Sequence, residues 1–199
     1  MTRHYGLLFG PLAAALLAFG IVDLATTVQG YDHVRQTVSE IGEIGSPARV
    51  PFAILLCSVA FCLLVFAAGV RRASIEAGRS PLAAYFIGAF ALSAIGVGVF
   101  AHPDPLHNVF GLSQLVGYQA PLVFALSWRR DARARGLVAF SWIMFALVWV
   151  AIALNLSSME GGEVWAAVKP VYGIAQRALF AAWFGWCAVV GVVLFLQKR

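Results

Sequence analysis

VPFAILLCSVAFCLLVFAAGV, residues 50–70, runs without one charged side chain. A helix rises about 1.5 Å per residue, and about 20 apolar residues cross the hydrocarbon layer of a bilayer. This stretch is therefore long enough to span a membrane. Five further runs of the same character lie at about 5–28, 81–101, 108–128, 137–156 and 171–196. In lipid a lone segment satisfies its backbone hydrogen bonds only as a helix. The sequence thus predicts an all-α, polytopic membrane protein, a six-transmembrane-helix bundle forming a single domain over 1–199. The bulk composition agrees: 61% of residues are hydrophobic, 12% are charged and mean hydropathy is +0.85. Soluble domains carry roughly a quarter charged residues.

Charge placement sets an expected orientation. Of the 14 Lys and Arg, ten fall on one side of the spans: Arg3, Arg71, Arg72, Arg79, Arg129, Arg130, Arg133, Arg135, Lys198 and Arg199. Arg35, Arg49, Lys169 and Arg177 fall on the other. The positive-inside rule then makes both termini cytoplasmic and turns the 29–49, 102–107 and 157–170 connections to the extracytoplasmic side of the cell membrane. The net charge of +5 forms no basic stripe on a soluble surface, so nucleic acid is not the expected partner; membrane lipids are. Arg3 and His4 precede the first apolar run as in a signal peptide. That run exceeds the ~7–15 residues of a signal core and is not followed by a clear A-x-A site, so it reads as an uncleaved helix.

Cys57, Cys62 and Cys187 sit inside apolar runs, with neither zinc-ribbon nor C-x-x-C spacing, and read as small hydrophobes. Gly88, Ser93, Gly96, Gly98, Gly185 and Gly191 are expected at helix–helix contacts, and Pro121 is expected to kink the fourth span. No internal repeat is visible, which gives an inverted-repeat transporter no support. Asn155-Leu156-Ser157 fits a glycosylation pattern but lies at the membrane boundary.

Three polar clusters share the predicted outer side. In the first loop, Val34, Val38 and Ile41 recur at helical spacing, predicting a short amphipathic helix ended by Gly42 and Gly45, with Ser46-Pro47 starting the second span. Such a helix either rests on the interface with a solvated polar face or turns Ser39 and Glu40 toward a pocket. The second cluster is His102-Pro103-Asp104-Pro105-Leu106-His107-Asn108. Imidazole and carboxylate are zinc ligands, so His102, Asp104 and His107 are candidate metal ligands, although the spacing matches no strong metal motif. Contact with a polar substrate or head group, or capping of the fourth helix, are the alternatives. The third cluster lies inside the spans. Asp23 and Arg177 sit at matching depths, and a charge there costs up to a few kcal/mol unless paired. A mutual ion pair, with Gln176 adding hydrogen bonds, is one arrangement; an Arg177 fork on an anionic group is another.

These motifs resemble a known family. S-E-x-G after the first span, the turn ending in H-N-x-x-G (His107, Asn108, Gly111) and G-x-x-Q-R in the sixth span (Gly173, Gln176, Arg177) are similar to an uncharacterised six-helix membrane family, domain of unknown function 998. More distantly, V-S-E-I-G-x-x-x-S-P (Val38 to Pro47) with the H-N-x-x-G turn resembles the FRAG/DRAM/Sfk family. That resemblance implies a link to lipid remodelling, lipid asymmetry or autophagy. Glu40 and the last helix depart from that second family's pattern.

Three functions follow as expectations. One is a lipid-binding protein whose outer pocket meets a head group through Arg177, His102 and His107, with Asp23, Asn108 and Gln176 alongside. Another is a membrane hydrolase, using His102, Asp104 and His107 as metal ligands or acid and base, near Ser39 and Glu40. A small transporter is the third, disfavoured because the intramembrane charges cluster near one surface.

Overall fold

The computed structural model describes residues 4–157 and 165–197. Within them the chain is helical, with no strand. After a 3₁₀ turn at Tyr5–Leu8 come α1 (Phe9–Ala25), α2 (Val38–Ile41), α3 (Arg49–Glu76), α4 (Leu82–Val99), α5 (Pro105–Gly117), α6 (Ala120–Trp128), α7 (Arg135–Ser157), α8 (Trp165–Val168) and α9 (Tyr172–Leu196). Six stretches are long and apolar enough to cross a membrane, with α5 and α6 together making the fourth. Arg3, Lys198 and Arg199 of the charge count lie outside the described residues.

The spans close a ring in chain order. α1 packs on α3, α3 on α4, α4 on α5 and α6, α6 on α7, α7 on α9, and α9 returns to α1. The ring's outer surface is apolar: Phe19, Val50, Ile54, Phe61 and Leu92 are all exposed. An apolar belt of this extent has no counterpart on a soluble monomer and is the face that lipid solvates.

Inside, one part of the ring is filled by aromatic side chains. Trp128, Trp183, Trp186, Phe66, Phe90 and Phe124 are fully buried, and Phe90 stacks on Trp183 with ring centroids 3.9 Å apart. The buried indole nitrogens need acceptors. Trp186 Nε1 donates to Ser141 Oγ at 2.9 Å, and Trp183 Nε1 donates to the Gly117 carbonyl at 3.1 Å.

Gly117 is the residue whose carbonyl Pro121 would meet in an unbroken helix, but proline has no N–H to give it. The α-helical pattern therefore breaks at Tyr118–Gln119, both still in right-handed helical conformation, and resumes as α6: a local break within one span, at the place where the sequence suggested a kink. At the other end of α5, Asp104 is the N-cap, accepting from Leu106 N at 2.8 Å, with Pro105 in the first turn. The fourth span thus begins at Pro105 rather than at Asn108.

Close approaches use glycines, though not all of the expected ones. A Cβ on Gly96 would strike the Phe110 ring, one on Gly98 would press on Leu56, and one on Gly191 would strike the Leu7 carbonyl. Ser93 accepts a hydrogen bond from Ser113 across α4 and α5 at 2.7 Å. Gly88 and Gly185 face open space and are not contact glycines. Gly10, against the Cys187 carbonyl, and Gly69, against the backbone of Gly6 and Leu7, are such contacts instead.

Candidate functional site

The polar clusters of residues 31–43, 102–108 and 172–177 meet at one end of the ring. The first loop is shorter in helix than its periodicity suggests. Asp32 captures the Val34 N–H with its side chain and the Arg35 and Gln36 N–H groups with its carbonyl, which makes a turn where a helix was expected. Val34 is exposed. Only Val38–Ile41 is α-helical, ended by Gly42 as expected, and Ser46 opens the turn that leads into the next span at Arg49, its hydroxyl accepting from the Ala48 N–H at 3.1 Å. Glu40 is consumed in capping: its Oε2 accepts from both the N–H and the hydroxyl of Thr37.

The G-x-x-Q-R sequence of α9 fastens this loop. Gly173 has no side chain because the Gln36 and His33 carbonyls lie against it. The Val38 N–H donates to Gln176 Oε1 at 2.6 Å. Arg177 donates from Nη1 to the Gln36 and Gly173 carbonyls (2.8 and 3.0 Å) and from Nη2 to Tyr31 Oη (2.6 Å) and His33 Nδ1 (3.2 Å). Tyr31 in turn donates to the Thr37 carbonyl at 2.6 Å. Burial pushes the Tyr31 phenol up in pKa, against the opposing pull of Arg177, which keeps it a donor.

The expected Asp23–Arg177 ion pair does not form. Asp23 is exposed near the end of α1, and Arg177 is satisfied by loop carbonyls and a phenol instead. Equal depth in the membrane does not put two side chains on facing sides of the ring. Arg177 lines neither of the two cavities described below; its Nη1 and Nη2 groups hold the loop as a clamp.

The loop places Ser39 over α5. His107 is buried; its Nδ1 lies 2.7 Å from the Phe100 carbonyl and its Nε2 lies 3.0 Å from Ser39 Oγ. A carbonyl only accepts, so Nδ1 carries the hydrogen and Nε2 of the neutral ring accepts from the serine hydroxyl. The expected zinc triad is not assembled. Both His107 nitrogens are engaged, Asp104 caps α5, and His102 faces Glu43 at 3.9 Å. Among the described residues no three His, Cys, Asp or Glu side chains gather closely enough to hold a metal ion.

Two cavities meet at Ser39. An apolar one of about 400 Å³ runs into the ring between Leu17, Leu56, Phe90, Leu115 and Phe180. A polar vestibule of about 730 Å³ lies among Arg35, Glu40, His102, Trp165 and Lys169. Ser39, His107, Asn108, Tyr172 and Gln176 line both. Sequence reasoning missed Tyr31, Tyr172, Asn155 and the Trp165–Lys169 pair, in which the ammonium sits 5.8 Å from the ring centroid. The enrichment of Trp and Tyr at membrane interfaces was the available signal for the two aromatics that flank the sixth span.

Fold and cavities together define a multi-pass helical membrane protein with a two-compartment pocket at one end. The chain belongs to the family described as Protein of unknown function (DUF998), whose family model matches residues 11–193. No curated protein and no solved structure matches it.

Proposed function

We propose that this protein binds a lipid-like amphiphile, with an acyl chain in the apolar cavity and an anionic or zwitterionic head group in the vestibule. The carrying observation is the shared wall: one pocket passes from charged to apolar across Ser39, His107, Asn108, Tyr172 and Gln176. Binding sites of about 300–1,000 Å³ are usual for small ligands, and both compartments fall in that range. Arg35 and Lys169 supply the vestibule's cations. Leu112 and Leu156, both exposed, flank the apolar cavity on the lipid side, where α6 rather than α5 packs against α7. The resemblance of Val38 to Pro47 to the FRAG/DRAM/Sfk pattern points the same way. The excess of Arg and Lys at the opposite end supports a pocket facing the extracytoplasmic side of the cell membrane.

Native mass spectrometry of protein released in mild detergent tests this reading. Bound lipid is expected in the wild type and absent in Gly111→Phe. Gly111 lines the apolar cavity and faces open space, so a larger side chain there fills the cavity without a backbone clash. A wild type free of lipid, or a Gly111→Phe variant that retains it, counts against the proposal.

A further inference from the structure

We propose that Ser39 and His107 are a nucleophile–base pair that cleaves or transfers the acyl group of the bound amphiphile. Three observations converge on this pair. The hydroxyl lies 3.0 Å from Nε2, the separation of an activated nucleophile and its base. The Phe100 carbonyl, 2.7 Å from Nδ1, fixes the ring in the tautomer that accepts a proton at Nε2, the orienting role that a carboxylate plays in other triads. Ser39 also stands where the polar vestibule meets the apolar cavity, which is where an amphiphile carries the ester or amide that joins head to tail. The choice of substrate rests on the amphiphile reading above; the chemistry of the pair does not.

The serine is held firmly for this task. Its short helix is tied by Gln176 to the Val38 N–H and by Arg177 to the Gln36 carbonyl, so Gln176 and Arg177 are positioning residues. The carboxamide of Asn108 lines the same wall and carries N–H₂ donors of the kind that meet a developing oxyanion.

In the step, Ser39 Oγ bonds to the acyl carbonyl carbon while its proton passes to Nε2. The carbon–oxygen or carbon–nitrogen bond to the head group then breaks, and the leaving group takes that proton. Water, or an acceptor alcohol, attacks the acyl-serine, gives its proton to Nε2, and releases the acyl group as Ser39 recovers the proton.

The test uses the full chain in mild detergent and a long-chain alkyl fluorophosphonate, which transfers its phosphorus to an activated serine oxygen with loss of fluoride. Tandem mass spectrometry is expected to find the adduct on Ser39. Ser39→Ala should abolish it. His107→Gln, which keeps hydrogen-bonding capacity toward both Phe100 and Ser39, should slow it by about 100-fold or more, as loss of a general base does. Lipid retention is followed in the same samples. An unlabelled Ser39 in wild-type protein that still carries lipid overturns the nucleophile and leaves the binding reading standing. Labelling at an unchanged rate in His107→Gln overturns the base. Labelled Ser39 in protein that holds no lipid supports the pair and tells against the amphiphile pocket.

Discussion

Trp183 donates its indole hydrogen to the Gly117 carbonyl at 3.1 Å, the acceptor that Pro121 leaves without a helical partner. A helix break and a buried aromatic core are thus one feature. Trp183→Phe keeps an aromatic side chain but loses the fused pyrrole and orphans that carbonyl, and leaving a buried acceptor unsatisfied costs about 1–3 kcal/mol on top of the smaller ring's lost packing. Pro121→Ala restores an N–H four residues beyond Gly117, so the cost of Trp183→Phe should shrink in the double variant. Unfolding in mixed micelles measures all four corners of the cycle. Additive effects would show that the indole bond does not answer the proline.

The Arg177 clamp depends on a planar fork that reaches four acceptors. Lysine keeps the charge but not that geometry. Arg177→Lys should lower stability by about 1.5–3 kcal/mol, the worth of a hydrogen bond to a charged group. Amide exchange should accelerate in residues 33–41 before the spans are affected. Protection of that loop equal to wild type would refute the clamp.

Glycines within the spans divide into two groups with opposite expected signs. Gly96→Ala presses on the root of the Phe110 ring and should cost about 1–3 kcal/mol through overpacking. Gly88→Ala meets nothing and should gain about 0.5–1 kcal/mol from lower chain entropy in the unfolded state. The pair is best compared by thermal unfolding in one detergent. A shared sign would mean that close packing does not govern these positions.

Reporter fusions address orientation. One placed between Arg130 and Arg133 should read cytoplasmic, and one placed within 158–164 should read extracytoplasmic. The reverse pattern would move the vestibule to the cytoplasm and remove the basis for an outer site.

The six spans were legible because a run such as Val50–Val70 has no alternative in lipid but to cross it as a helix. The meeting of Ser39 with His107 was foreseeable only as three clusters on one side. Their spacing said nothing of which nitrogen faces which hydroxyl. Depth placed Asp23 and Arg177 at one level, but sequence carries no signal for rotation around the ring, and the loop carbonyls that satisfy Arg177 belong to every residue type alike. The helix expected from Val34 lost its first turn to Asp32, whose short side chain competes for nearby backbone hydrogens as Asp commonly does. Gly10 and Gly69 were missed because a contact glycine and an idle one look the same in sequence.

The bonds from the loop to α9 join Val38 to Gln176 across 138 residues and Gln36 to Arg177 across 141. During synthesis the segment bearing Ser39 is therefore made, and delivered to its side of the bilayer, long before its fasteners exist. The pocket closes only when the last span arrives. A chain truncated before α9 would keep the Ile44 N–H bond to the His102 carbonyl but lose both of these ties, so the wall that Gln176 and Tyr172 give the pocket is completed at the end of insertion and not during it.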